Sequence, residues 1–224
     1  MENVSVILSV RNGEKYLAEA LNSALSQTYP IREILVIDGG STDRSPEIAK
    51  SFPKVKVLAQ EGRGIPAANN QGIRAANGDW VAFLEADDRW LPQKLEKQMF
   101  GFDPGRRPSY SVTRFRFFRE PGSAVPACFK NSLFEGDHVG RIMSTLVAKK
   151  SLFEEVGYFD ATYHCAGDVD WFARAKDLHG PPSLVEESLM EKRIHESNFS
   201  NLALVNNREM LRAMKDSVDR RRRG

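Results

Sequence analysis

At 224 residues the chain is long enough for one large α/β domain or two small ones. A hydrophobic fraction of 41% suits a globular protein, and a formal charge of +2 argues against a dedicated nucleic-acid binder. Two cysteines, Cys128 and Cys165, are too few for a disulfide framework, and no apolar run approaches the ~20 residues of a membrane helix.

The cysteine count implies a reducing compartment, and the start, Met1 to Val4, lacks the basic and apolar regions of a signal peptide, so the expected location is cytoplasmic. Val4 to Val10 has the composition of a buried strand, and Arg11-Asn12-Gly13 breaks it. Tyr16, Leu17, Ala20, Leu21, Ala24 and Leu25 recur at helical spacing, and Pro30 bars continuation. Ile34 to Ile37 predicts a second buried strand ending in Asp38-Gly39-Gly40-Ser41-Thr42-Asp43. Ser45-Pro46 predicts an N-cap with proline in the first turn, and Asp43 a turn or cap residue. Val55 to Leu58 is a third strand, Ile65 to Ala76 a helix, and Trp80 to Leu84 a fourth strand. Alternation of this kind implies a parallel sheet with helices on both faces. It sets three polar strand ends at one sheet edge: Arg11-Asn12, Asp38, and the acids Glu85, Asp87 and Asp88. Like charges this close repel, and a divalent cation shared with phosphates gives them a reason; a solvated turn before the helix near Pro92 is the alternative.

Beyond Phe100 the composition changes. Gly101 to Pro108 is a loop, and Tyr110 to Phe118 reads as a half-exposed strand with Arg114, Arg116 and Arg119 among phenylalanines. Thr145 to Ala148 is a short apolar run, followed by a helix from Lys149 toward Val156. Another helix begins at Asp168, and a last one spans about Leu202 to Val218. Arg220 to Arg223 form a basic tail, either solvated or in peripheral contact with an anionic membrane.

The motifs, taken together, resemble family 2 glycosyltransferases. Val4 to Gly13 resembles their opening strand and turn, and Ile37 to Asp43 their second-strand signature. Gly64 to Gly78 is similar to the helix before their metal strand, Phe83 to Asp88 to their D-x-D region, and Trp90 to Leu95 to the segment just after that region. Val156 to Asp160, Asp168 to Arg174 and His195 to Ser200 resemble later segments. The resemblance implies a GT-A fold with a mixed sheet, over 1–219: a nucleotide-sugar half (1–100), an acceptor half (101–200) and a C-terminal helix (201–219), with a basic tail at 220–224. It implies inverting transfer from a nucleotide-diphosphate sugar, a UDP-sugar by family habit, to a hydroxyl of a glycan or lipid-linked acceptor, with Mn2+ or Mg2+. By position it assigns Val10, Asn12, Asp38, Arg63, Glu85 and Ala86 to the nucleotide, Asp87 and His195 to the metal, and Asp168 to the catalytic base. Partial burial, or repulsion from Asp170 and the metal-site acids, is expected to raise the pKa of that base. Three positions depart from the family pattern: Glu85 for aspartate, Arg11 for an aromatic residue, and Gly167 where an acid often precedes the base. A binding protein without transfer, or an inactive partner subunit, is the competing reading. A nucleotidyltransferase ranks below it, because Arg11 to Lys15 is a poor match to a glycine-rich, basic phosphate loop.

Overall fold

The computed structural model describes residues 2–100, 108–122, 126, 129–164, 166–196, 198 and 203–223. Cys128, Cys165 and most of the loop expected from Gly101 lie outside them. The first half alternates as expected: β1 (Val4–Val10), α1 (Leu17–Leu25), β2 (Ile31–Asp38), α2 (Ser45–Lys50), β3 (Val55–Ala59), α3 (Gly64–Ala75) and β4 (Trp80–Phe83). Strand β1 lies between β2 and β4 and pairs in parallel with both, while β2 pairs in parallel with β3. Val10 lies opposite Asp38 and Ile7 opposite Phe83, so all three polar strand ends share one edge.

Side chains of these strands alternate between two cores because successive residues point to opposite faces. Val6, Leu8, Ile34, Val36 and Ala82 pack with Leu17, Ala20 and Leu21 of α1. Ile7, Leu35, Ile37, Val81 and Phe83 pack on the other side with Ala68 and Ile73 of α3. Gly72 lets α3 approach the sheet, since a Cβ there would sit 2.4 Å from Ile7 Cγ2.

The remaining strands complete a mixed nine-stranded sheet. They are β5 (Arg89–Trp90), β6 (Tyr110–Phe118), β7 (His138–Val139), β8 (Val147–Lys149) and β9 (Ser183–Arg193). The order is β3-β2-β1-β4-β8-β6-β9-β5, with β7 paired to β6. Helices α4 (Lys94–Phe100), α5 (Leu152–Glu155), α6 (Gly167–His179) and α7 (Ala203–Arg223) complete the fold. Strand β6 is more buried than expected: Tyr110 to Thr113 and Phe115 are buried and only Arg116 is exposed, while Arg114 pairs with Glu186 and Arg116 with Asp137.

Three local expectations change. Lys149 ends β8, and the helix expected from it begins at Leu152. Ser45 is the first residue of α2 rather than its N-cap, and it is fully buried, its Oγ accepting the Gly13 N–H at 2.8 Å. Asp43 takes over at that turn, its Oδ1 accepting the Ser45 N–H at 2.9 Å and its Oδ2 the Glu14 N–H at 3.0 Å. Helix α7 continues through Arg223, so the basic residues form its last turns. Arg220 turns inward to Asp170 and Asp177, which holds that end against α6.

Candidate functional site

At the ends of β1 and β2 the backbone forms a braced double turn. Asn12 adopts a left-handed conformation (φ 54°), which asparagine tolerates better than most residues. Its Oδ1 accepts the Thr42 N–H at 2.8 Å, and its own N–H donates to Ser41 Oγ at 2.9 Å. Asp38 Oδ1 accepts from Ser41 Oγ at 2.6 Å and Ser41 N at 3.1 Å. The Val10 carbonyl accepts the Gly39 N–H at 2.8 Å. After β3, Gln60 donates its backbone N–H to Asp38 O and its side-chain amide to Gly64 O. That links the Asp38 turn to the start of α3, which exposed Arg63 precedes. A Cβ on Gly13 would lie 3.5 Å from that of Ala86, so the first turn also packs on the acidic loop.

The acidic loop joins β4 to β5. Ligand atoms of Glu85, Asp87 and Asp88 lie within 4.8 Å of one another. Strand β9 runs beside β5, pairing Glu191 with Arg89, and delivers two cations to the acids. Lys192 Nζ sits 2.6 Å from Glu85 Oε2 and 3.5 Å from Asp88 Oδ2. Burial alone would discharge this lysine; the charges of Asp88, Glu85 and Asp87 outweigh it and keep the ammonium protonated. Arg193, 1% exposed, donates its backbone N–H to Asp88 Oδ1 at 3.1 Å and its Nε–H to the Asp87 carbonyl at 2.9 Å. Its guanidinium pairs with Glu19 and Glu120 and lies over the rings of Tyr16 and Phe118.

Each acid has a different environment. Asp87 Oδ2 lies 3.0 Å from His195 Nε2 and accepts from Asn198 Nδ2 at 3.0 Å. Burial pushes the Asp87 carboxyl up, but the His195 contact and the Lys192 charge overcome it and hold it below the usual range. Asp88 is buried and accepts from Ser144 Oγ at 2.8 Å; burial pushes it well above the usual range, against the pull of Lys192. Ser144 also accepts the Glu85 N–H at 3.1 Å, and its carbonyl accepts from Trp90 Nε1 at 2.8 Å, which fixes both ends of the loop.

Asp168 stands in the first turn of α6, whose N-cap is Ala166. Its carboxylate accepts the adjacent Val169 N–H at 2.8 Å. Burial pushes it up to about 7, with the negative charge of Glu85 adding to the shift. Asp170 does not contribute as expected: it points away into pairs with Arg174 at 2.8 Å and Arg220 at 3.3 Å. Gly167 has a steric reason, because a Cβ there would stand 3.0 Å from Pro66 Cγ of α3.

The structure therefore brings Glu85, Asp87 and His195 together and gathers Val10, Asn12 and Asp38 in the neighbouring turn; Asp168 is near enough to feel Glu85 and Lys192. Sequence reasoning missed Lys192, Arg193, Ser144, Asn198 and Glu19. The extra methylene of Glu85 now has a partner in Lys192.

A donor set of carboxylate oxygens with one imidazole suits a hard divalent cation such as Mn2+ or Mg2+. The Lys192 ammonium compensates part of this negative charge in the structure, pairing with Glu85 and Asp88.

Three comparisons bear on identity. An uncharacterized glycosyltransferase of Rickettsia typhi is 30% identical over 220 residues, covering 90% of this chain and 67% of its own length. The teichuronic acid biosynthesis glycosyltransferase TuaG of Bacillus subtilis, itself a putative assignment, is 33% identical over 127 residues, covering 54% of this chain and 50% of that protein. Among solved structures, S. aureus TarS 1-349 in complex with UDP-GlcNAc superposes with a TM-score of 0.71 at 22% identity, over 96% of this chain and 65% of that one. A Pyrobaculum calidifontis mannosyltransferase in complex with GDP-Man and Mn2+ gives 0.70 at 19% identity, over 96% and 64%. This chain thus spans half to two thirds of the length of these relatives, and the structural likeness establishes the GT-A fold. The family model "Glycosyl transferase family 2" matches residues 5–161, and the chain belongs to that family.

Proposed function

We propose that the protein transfers a sugar from a nucleotide-diphosphate sugar to an acceptor hydroxyl, with inversion and metal assistance. The observation that carries this reading is the meeting of Asp87, His195 and Glu85 beyond β4, with an ionisable carboxylate, Asp168, near enough to feel the charge of Glu85. Asp38 accepts a ring N–H of the base, while Val10, Asn12, Arg63 and Ala86 line the nucleotide. UDP is the first candidate, and the complexes of TarS with UDP-GlcNAc and of the mannosyltransferase with GDP-Man support a nucleoside diphosphate in general. Asp87 and His195 would hold the divalent cation, with Glu85 beside them toward metal or ribose. When bound, that cation takes up negative charge developing on the leaving diphosphate.

The protein's own residues do the rest. Asp168 takes the proton of the acceptor hydroxyl, whose oxygen forms the new bond at the anomeric carbon as the bond to the diphosphate oxygen breaks. A pKa raised to about 7 makes it a stronger base than an ordinary aspartate while leaving it substantially ionised at neutral pH. Arg193 and Ser144 hold the acidic loop in place. The acceptor is a glycan or lipid-linked sugar of cell-envelope synthesis, a reading that the name of TuaG supports. No described helix is long and apolar enough to cross a membrane, and the proposed setting is the cytoplasmic side of the envelope.

The test is release of nucleoside diphosphate from UDP-GlcNAc and GDP-Man with and without Mn2+. Asp87→Asn and Asp168→Asn should each lower release by about a hundredfold or more; unchanged turnover in both would remove the site assignment. A second reading, a nucleotide-sugar binder without transfer, draws on Lys192 already filling the cluster with positive charge. Tight donor binding with no release under any metal would favour it.

A further inference from the structure

Helix α7 is mounted with its polar side inward. Glu209 accepts the backbone N–H groups of His164 and Ala166 at 2.8 and 3.0 Å. Asp216 accepts from Tyr163 OH at 3.1 Å, and Arg220 reaches Asp170 on α6. Only Ala213 and Ser217 are buried among the helix residues whose side chains are described. The apolar side chains point the other way: Leu211 is 68% exposed, and Met210, Met214 and Val218 are exposed beside it. Their spacing, 210, 211, 214 and 218, puts them on one face.

The charges are sorted in the same sense. Glu209, Asp216 and Asp219 are at most half exposed and turn toward the domain, whereas Arg208, Lys215 and Arg222 are exposed. On an ideal helix these three basic residues fall along one flank of the apolar stripe. An apolar stripe with a basic margin and inward-turned acids complements an anionic bilayer surface: the apolar groups enter the acyl boundary, and the basic groups meet lipid phosphates.

We propose that α7 is a membrane-docking helix, its exposed Met210, Leu211, Met214 and Val218 entering the interface of an anionic bilayer. This surface is distinct from a basic tail acting alone, because Arg220 is held in the domain by Asp170. Through Glu209 the helix grips the loop just before Asp168, so docking would bring the proposed acceptor side of the protein to the lipid surface. That last consequence rests on the transferase reading; the docking itself does not.

The experiment is co-sedimentation of the full chain with vesicles of phosphatidylcholine, alone or with one third phosphatidylglycerol, and needs neither donor nor metal. Its failure is therefore distinguishable from failure of the transferase reading. The chain should bind the anionic vesicles at least tenfold more tightly than the neutral ones. Replacing Leu211, Met214 and Val218 by serine should cut binding at least tenfold with an unchanged melting temperature, since these side chains are exposed. Replacing Arg208, Lys215 and Arg222 by glutamine tests the charges separately. Each basic group near such a surface is worth about fivefold in partitioning, so the loss should be on the order of a hundredfold. No vesicle binding by the intact chain, or binding unaffected by the serine variant, would overturn the proposal. So would a dimer that the serine variant converts to monomer without any vesicle binding, which would make the stripe a contact between copies.

Discussion

Lys192→Gln probes the acidic cluster as a cation site. The ammonium side chain is 14% exposed, 2.6 Å from Glu85 and 3.5 Å from Asp88. A unit charge pair at about 4 Å is worth about 4 kcal/mol at an effective dielectric constant of about 20. Glu85 is 35% exposed, so water reduces its share to about half, whereas Asp88 is 0% exposed and keeps most of its own. Desolvation of the ammonium, and the burial that already pushes the Asp88 carboxyl toward its neutral form, together offset roughly half of the resulting ~6 kcal/mol. The glutamine variant should therefore lose about 3 kcal/mol without metal, which for a chain of this size is a fall of about 6–12 °C in Tm. The metal response should go the other way. Mn2+ entering the native site must displace or share a resident cation, and in the variant it meets uncompensated acids. The same ~3 kcal/mol predicts Mn2+ binding tighter on the order of a hundredfold. Thermal melts across a Mn2+ series, with calorimetric titration of Mn2+, measure both. A variant as stable as the parent without metal, or with the same Mn2+ affinity, would refute the reasoning.

Asp168 carries a pH signature in both activity and stability. Its carboxyl is raised to about 7, so transfer should fall about tenfold per pH unit below that value, and Asp168→Asn should lower turnover about 10²–10⁴-fold at neutral pH. A group raised in the folded state contributes stability that is full below its unfolded pKa of about 4 and is lost as pH rises through about 7. Asp168→Asn should therefore be more stable than the parent by about 1–2 kcal/mol near pH 8, after discounting for partial exposure, and equal to it near pH 4. Identical melting curves at both pH values would contradict the buried carboxylate. Asp38→Asn removes a charged acceptor for a base N–H and should weaken nucleoside diphosphate binding about 10–100-fold by calorimetry; an unchanged Kd would move the base elsewhere. Gly72→Ala should destabilise by about 1–3 kcal/mol in denaturant melts, because its Cβ would stand 2.4 Å from a buried Ile7 methyl. A neutral result would mean that α3 shifts freely on the sheet.

The parallel half was legible because its strands are apolar runs punctuated by polar turns, and the register carries Asp38 and the acidic loop to one edge as that alternation requires. The partners of the acids were not legible. Lys192 and Arg193 come from β9, whose sequence Ser183 to Arg193 mixes charges with few apolar residues. Its pairing with β6 steps from Val185 opposite Thr113 to Ser188 opposite Arg114, which leaves Glu186 and Glu187 as extra residues and breaks the period-two signal. Ser144 was hidden for a different reason: it acts from a one-turn 3-10 segment, Met143–Thr145, and a lone serine carries no pattern. Asp170 pairs with Arg174 at the local i,i+4 spacing and also with Arg220, fifty residues away, and no local spacing can reveal the second partner. Gly167 and Glu85 looked like departures in sequence, and each is explained by a neighbour: Pro66 for the first, Lys192 for the second.

The central claim is a metal-assisted diphosphate site that joins the Asp38 turn to the Asp87 loop. Its most direct test is calorimetric titration of UDP and GDP, with and without Mn2+, into the parent and Asp87→Asn. The predicted result is binding of one diphosphate that tightens at least tenfold with Mn2+ in the parent and loses that metal response in the variant. Binding indifferent to Mn2+, or a metal response that survives Asp87→Asn, would contradict the account.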